Sequence, residues 1–134
     1  MSERDAVLFC NDAFYAAFAG RDVDAMESLW AKVDDVSVIH PGWEPLFGRD
    51  AVIESWVGIL SNENSPAIEC RAARAVVRGE SATVVCFEEI EGNFLVATNL
   101  FVKQDGAWRM THHQAAPTSG RPSPEDQDQP PSIN

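Results

Sequence analysis

The stretch VSVIHPGWEPLFG, residues 36–48, decides how this chain is read. Val36, Val38 and Ile39 form a short apolar run with strand character, and it delivers His40 to a Pro41-Gly42-Trp43 turn just ahead of a new helix. Pro41 holds the residue before it in an extended conformation, so His40 is a fixed side chain at a strand end. An imidazole with an ordinary pKa of about 6.5 exchanges protons near neutrality. Taken alone, the same residue reads equally as a buried or capping histidine bonded to backbone.

Outward from this stretch the chain is helical on its N-terminal side. Asp5 to Ala19 carries Val7, Cys10, Phe14, Ala17 and Phe18 at helical spacing, with Gly20 placed to end the helix. Asp22 caps a short second helix with Ala25, Met26, Leu29 and Trp30 on its apolar side. On the C-terminal side, Gly48-Arg49-Asp50 opens a third helix through Leu60 that buries Val52, Ile53, Trp56, Ile59 and Leu60. From Pro66 the character changes. Ala67–Arg78, Ser81–Glu91, Phe94–Lys103 and Trp108–Ala116 read as strands joined by turns at Gly79-Glu80, Gly92-Asn93 and Asp105-Gly106, an antiparallel meander. Helices first and a sheet afterwards predict an α+β domain.

The 134 residues, 45% of them hydrophobic, suit a single domain, expected over residues 1–117. Residues 118–134 are rich in Pro, Ser, Gln and Asp with Ile133 as their one large apolar residue, and are expected to form a disordered tail. The formal charge of −11, with no basic stripe, argues against nucleic acid and anionic membranes as partners. No apolar run approaches the ~20 residues of a membrane span, and the N-terminus lacks the pattern of a secretory signal, so a cytoplasmic protein is expected. Cys10, Cys70 and Cys86 are an odd number without a Cys-x-x-Cys pair, which predicts reduced thiols rather than a disulfide framework or zinc ribbon.

Three segments, LWAKVDDVSVIHPGW (29–43), GRDAVIESW (48–56) and DGAWRMTHH (105–113), resemble a strand approach, a helix start and a last strand of the SnoaL-like, ketosteroid-isomerase-like branch of the nuclear transport factor 2-like superfamily. The resemblance covers residues 5 to about 117. It implies a curved, mainly antiparallel sheet wrapped around the helices as a cone with a cavity for a small organic ligand, and a homodimer formed through the convex face of the sheet. In ketosteroid isomerases the strand matching Val36–His40 ends in Asp-Pro, the Asp being the base; His40 takes that place here. The resemblance sets Asn99 where an oxyanion-holding Asp stands, and Phe14, or Tyr15 with a one-residue shift, where the matching Tyr stands. Trp56 takes the place of a cavity-lining aromatic, with Trp43 at the rim.

On the last strand, alternation from Trp108 puts Met110, His112 and Gln114 on one face and Arg109, Thr111, His113 and Ala115 on the other. The resemblance gives His113 and Ala115 the pocket side. A β-bulge would swap the faces, so His112 also stands as a pocket residue. Cys86 is expected to face inward without acting as a nucleophile, since no cation lies near it in sequence. At least two of Glu88, Glu89 and Glu91 are expected to coat a solvated face, while one could supply a pocket carboxylate. Trp30 and Trp108 read as core. Zinc would accept imidazoles such as His40 and His113, yet adjacent His112 and His113 point to opposite faces, and no metal or cofactor is expected.

Two functions are open at this point. One is a cofactor-free isomerase, hydratase or cyclase with His40 as general base and Asn99 and His113 as donors to an enolate-like intermediate, steroid isomerisation itself being unexpected with His for Asp and Phe for Tyr. The other is a non-catalytic ligand-binding or dimerisation module of the same fold.

Overall fold

The first helix, α1 (Glu3–Ala19), begins with a reciprocal cap in which Ser2 Oγ accepts the Asp5 N–H at 3.1 Å and Asp5 Oδ2 accepts the Ser2 N–H at 3.4 Å. In this computed structural model, which describes residues 1–124, α1 buries Val7, Asn11, Phe14, Tyr15 and Phe18. That is one helical stripe, with a polar residue in its middle. α2 (Val23–Leu29) starts from Asp22, whose side chain accepts the Ala25 N–H at 3.0 Å. Trp30 falls just past its end and is fully buried. Between α1 and α2 the left-handed residue is Arg21 (φ 52°) rather than Gly20. Its guanidinium donates to the carbonyls of Leu60, Asn62, Glu63 and Ser65, so it caps the far helix, α3 (Arg49–Ser61).

The Gly-Arg start of α3 has a similar explanation. Gly48 adopts φ +93°, which side chains disfavour, while Arg49 Nε donates to Ala31 O at 3.2 Å and a terminal nitrogen donates to Glu27 O at 3.0 Å. The start of α3 is thereby tied to the end of α2.

The strands are β1 (Ser37–Ile39), β2 (Leu46–Phe47), β3 (Glu69–Arg78), β4 (Ser81–Ile90), β5 (Asn93–Gln104) and β6 (Ala107–Thr118). They form one sheet in the order β2-β1-β6-β5-β4-β3. Two features were not anticipated. β2, two residues returning from the Pro41–Pro45 turn to pair with β1, is too short to show a period; and β1 runs parallel to β6, a long-range pairing no local pattern announces. The β4–β5 turn sits at Glu91-Gly92, one residue earlier than expected. Both residues there have positive φ (51° and 82°), as do Asp105-Gly106 (52° and 82°), the mirror-image turn that matches strand twist.

Leu100 pairs with His112 and Phe101 with Met110, so Thr111 is an extra residue in β6. This bulge corrects the strict alternation expected from Trp108. It lets Trp108 and Met110 face the core at one end of the strand, and His113 and Ala115 face it at the other. The three helices cover this inner face. On the outer face Val76, Val85 and Val96 remain 49%, 49% and 38% exposed.

β6 ends at Thr118, one residue into the expected tail. Pro122 is buried and the Arg121 guanidinium lies 5.2 Å over the Phe94 ring, while residues 125–134, the rest of that expectation, lie outside the described residues. All three cysteines are free thiols, and no helix among the described residues is long and apolar enough to cross a membrane.

Candidate functional site

Four elements converge beneath the Pro41–Trp43 turn. β1 hands over His40, α3 supplies Ser55 and Trp56, β6 supplies His113, and α1 brings Phe14 and Tyr15. His40 and His113 are each 4% exposed. Their rings lie 4.7 and 5.7 Å from the Trp56 ring, which therefore touches both imidazoles. Phe14 packs on Trp56 at 5.4 Å and on His113 at 5.0 Å, and half-exposed Trp43 meets the edge of His40 at 4.8 Å from the outside.

Hydrogen bonds fix the tautomer of each histidine. Ser55 has one hydroxyl proton and gives it to Val52 O at 2.7 Å, so at 2.9 Å its oxygen accepts from His40 Nε2–H. That leaves Nδ1 of His40 with its lone pair. Asn99 Oδ1 is an acceptor, so His113 Nδ1–H donates to it at 2.5 Å, leaving the lone pair on Nε2. Burial lowers the pKa of His40 to about 4 and of His113 to about 3, His40 and His112 adding to the second. Both are neutral bases at pH 7.

Asn99 is the hub of a buried polar cluster. Its Nδ2 donates to Asn11 Oδ1 at 2.8 Å and to the Tyr15 hydroxyl at 3.3 Å. Tyr15 in turn donates to Glu88 Oε2 at 2.6 Å and lies 3.3 Å from Cys86 Sγ, and Asn11 Nδ2 reaches Cys70 Sγ at 3.6 Å. Glu88 is 3% exposed and burial raises its pKa against the opposing pull of the Tyr15 bond. Its Oε2 stands 3.9 Å from His113 Nε2. Burial, with Cys86 and Glu88 beside it, pushes the Tyr15 pKa up as well.

His40, Asn99, His113, Phe14, Tyr15, Trp56 and Cys86 are thus brought together on the inner face, with Trp43 above them. Phe14 and Tyr15 both reach the site, Phe14 against the indole and Tyr15 against the polar cluster. Ala115 is buried on the same face of β6. His112 points to the opposite face, where its Nδ1 is 2.7 Å from Ser37 Oγ. Two members were not singled out from the sequence, Asn11 and Ser55, although Asn11 lies four residues after Val7 on the buried stripe. Of the three acids Glu88, Glu89 and Glu91, Glu88 is the one that supplies a buried carboxyl, and it shares the parity of Cys86. Among the described residues no group of three or more His, Cys, Asp or Glu is placed to hold a metal ion.

The neutral histidines make stability depend on pH. In the unfolded chain each titrates at its ordinary 6.5, so below that value the unfolded state takes up protons the fold refuses until about pH 4 for His40 and 3 for His113. Stability is therefore full above pH 6.5 and falls as pH drops. Glu88 opposes this, because its folded pKa is raised from 4.5 and the fold holds a proton the unfolded chain releases. The net slope is about 1.4 kcal/mol per pH unit for each proton of difference. Urea unfolding at pH 7, 6 and 5 is expected to show falling stability, with a shallower slope in His40→Gln; an identical slope in that variant contradicts a neutral His40.

A SnoaL-like domain model matches residues 7–119. A solved structure of a candidate dehydratase of the NTF2-like family from Streptomyces avermitilis is 30% identical, with a TM-score of 0.80 over 88% of this chain and 97% of that one. A candidate calcium/calmodulin-dependent protein kinase type II association domain from Thiobacillus denitrificans is also 30% identical, with a TM-score of 0.75 over 82% and 93%. A protein with a cystatin-like fold from Nostoc punctiforme, at 13% identity and a TM-score of 0.70 over 87% and 92%, shares the fold alone. Among curated proteins, F-box protein SKIP8 of Arabidopsis thaliana is 27% identical over 113 residues, 83% of this chain. The chain spans about half of that relative, 49% of its length. With helices, sheet order and the domain model agreeing over residues 7–119, the chain belongs to the SnoaL-like domain family, within the NTF2-like fold.

Proposed function

We propose that the protein moves a proton on a small organic carbonyl compound using its own side chains, as an isomerase, hydratase or cyclase, with His40 as general base. The observation that carries this reading is the pair of neutral imidazoles flanking Trp56, each with one nitrogen committed as a donor and the other left as a base. His40 Nδ1 takes the proton next to the carbonyl. The Asn99 amide protons and the His113 N–H are already committed within the polar cluster, so the two residues do not act as the enolate donors that the resemblance implied. Trp56 and Phe14 provide the apolar wall, and Trp43, half-exposed over His40, forms the rim through which the ligand enters. The resemblance to a candidate dehydratase at 30% identity falls within this group of reactions. Exchange of the α-hydrogens of cyclohexanone in D2O tests it: exchange above the buffer rate is expected, and exchange at the buffer rate counts against it.

The second reading, a non-catalytic dimerisation module, is favoured by the tight aromatic packing around both histidines and by the similarity to an association domain. The two readings share one surface. Val76, Val85 and Val96 form an apolar strip on the outer sheet face that a second copy of the chain would cover. Light scattering is expected to give twice the monomer mass, and Val85→Arg, which adds a charge to that face without touching the core, is expected to halve it. A wild-type monomer at every concentration counts against the dimer. Three unpaired thiols support a reducing compartment, the cytoplasm.

A further inference from the structure

Glu88 has no part in the reading above, yet it is a buried carboxyl set beside the second imidazole. The titratable groups facing it are Tyr15 from α1, Cys70 directly opposite on β3, Cys86 on its own strand and His113 from β6. None is a permanent cation. The 3.9 Å between Glu88 Oε2 and His113 Nε2 is too long for a hydrogen bond. It is, however, the base of a triangle whose apex, an oxygen about 2.8 Å from each atom, would bond to both. An oxygen at that apex meets a carboxyl on one side and an imidazole lone pair on the other, so the species that fits must both accept and donate. A hydroxyl group does so; a carbonyl does not.

We propose that Glu88 and His113 form a hydroxyl-binding acid site, in which Glu88 protonates a leaving hydroxyl whose own proton is held by His113 Nε2. The proposal rests on His40 as the base and narrows the reaction. An isomerase can shuttle one proton on one base, whereas a base and a separately held acid suit the elimination of water from a β-hydroxy carbonyl compound, or its reverse. The Cα–H proton goes to His40 Nδ1, and the electron pair of that bond becomes the carbon–carbon double bond. The Cβ–O bond breaks with its pair on oxygen, and the Glu88 proton completes a water molecule. The resulting imidazolium and carboxylate reset when the imidazolium proton returns to Glu88 through water. Atoms and charge balance without a co-reactant. Burial raises the Glu88 pKa, the direction that favours the neutral acid over the carboxylate.

Infrared spectroscopy of the whole protein at pH 7 is expected to show a carboxylic-acid C=O band that is missing in Glu88→Gln and moves to higher frequency in Tyr15→Phe, which keeps the carboxyl but removes its donor. With 3-hydroxycyclohexanone as probe, followed by the absorbance of the enone formed, Glu88→Gln is expected to lose dehydration by about a hundredfold more than it loses α-exchange of cyclohexanone. A wild type without the band, or equal losses on the two probes, overturns the proposal. The band reports on Glu88 and the exchange on His40, so this proposal and the one it rests on fail separately.

Discussion

His40→Gln is expected to cut α-exchange of a ketone probe by about 10²–10⁴-fold, the contribution of a positioned general base. Gln retains a donor for Ser55 Oγ and has no lone pair of comparable basicity, so the variant removes the proton acceptor while keeping the contact that orients it. The pH profile sharpens the test. A base must be unprotonated to act, and burial brings the His40 pKa to about 4, so the wild-type rate is expected to stay level from neutrality down to about pH 5 and to fall below pH 4. An ordinary histidine would already decline from pH 6.5. A rate that declines near 6.5 means that the working base is exposed, and a His40→Gln rate within a few-fold of wild type removes His40 from the chemistry.

How much of this was legible in the sequence depended on range. His40 was visible because the two residues around it fix its backbone: Pro41 extends it and the strand before it aims it. Asn99 was found by counting from a turn whose position the residues Asp105-Gly106 dictate, and ladder pairing then places it directly opposite His113. Alternation alone left the faces of His112 and His113 open, because one bulged residue, Thr111, reverses parity halfway along β6 and nothing in its side chain announces it. The resemblance set His113 on the pocket side, the side on which it is buried. Glu88 was hidden by its neighbours. In a run of acids the solvated reading is the common one, and only the alternation Val84, Cys86, Glu88 separates the buried member from Glu89. Ser55 was invisible for a different reason: its role depends on where His40 lands against α3, a contact between elements that no local pattern encodes.

Asn99→Leu is expected to give the largest loss of stability of any single change at the site. The Asn99 amide satisfies three buried groups at once, accepting from His113 Nδ1–H and donating to Asn11 Oδ1 and the Tyr15 hydroxyl. Leucine fills nearly the same volume and satisfies none of them. Each buried polar group left without its partner costs about 1–3 kcal/mol, so three of them cost about 3–9 kcal/mol, a large share of the roughly 5–15 kcal/mol that holds a domain folded. Asn99→Asp separates loss of shape from loss of polarity. Its carboxylate still accepts from His113 Nδ1–H, and the Asn11 amide can turn to donate to it by giving up the weak contact with Cys70 Sγ. The fold is then retained while the new negative charge stabilises the imidazolium, so the His113 pKa rises from about 3 and the loss of stability on acidification becomes smaller. Urea unfolding measures the first effect and nitrogen chemical shifts of the His113 ring against pH measure the second. An Asn99→Leu protein within about 1 kcal/mol of wild type would mean that the amide is not the hub of the cluster, one net hydrogen bond being worth about that much.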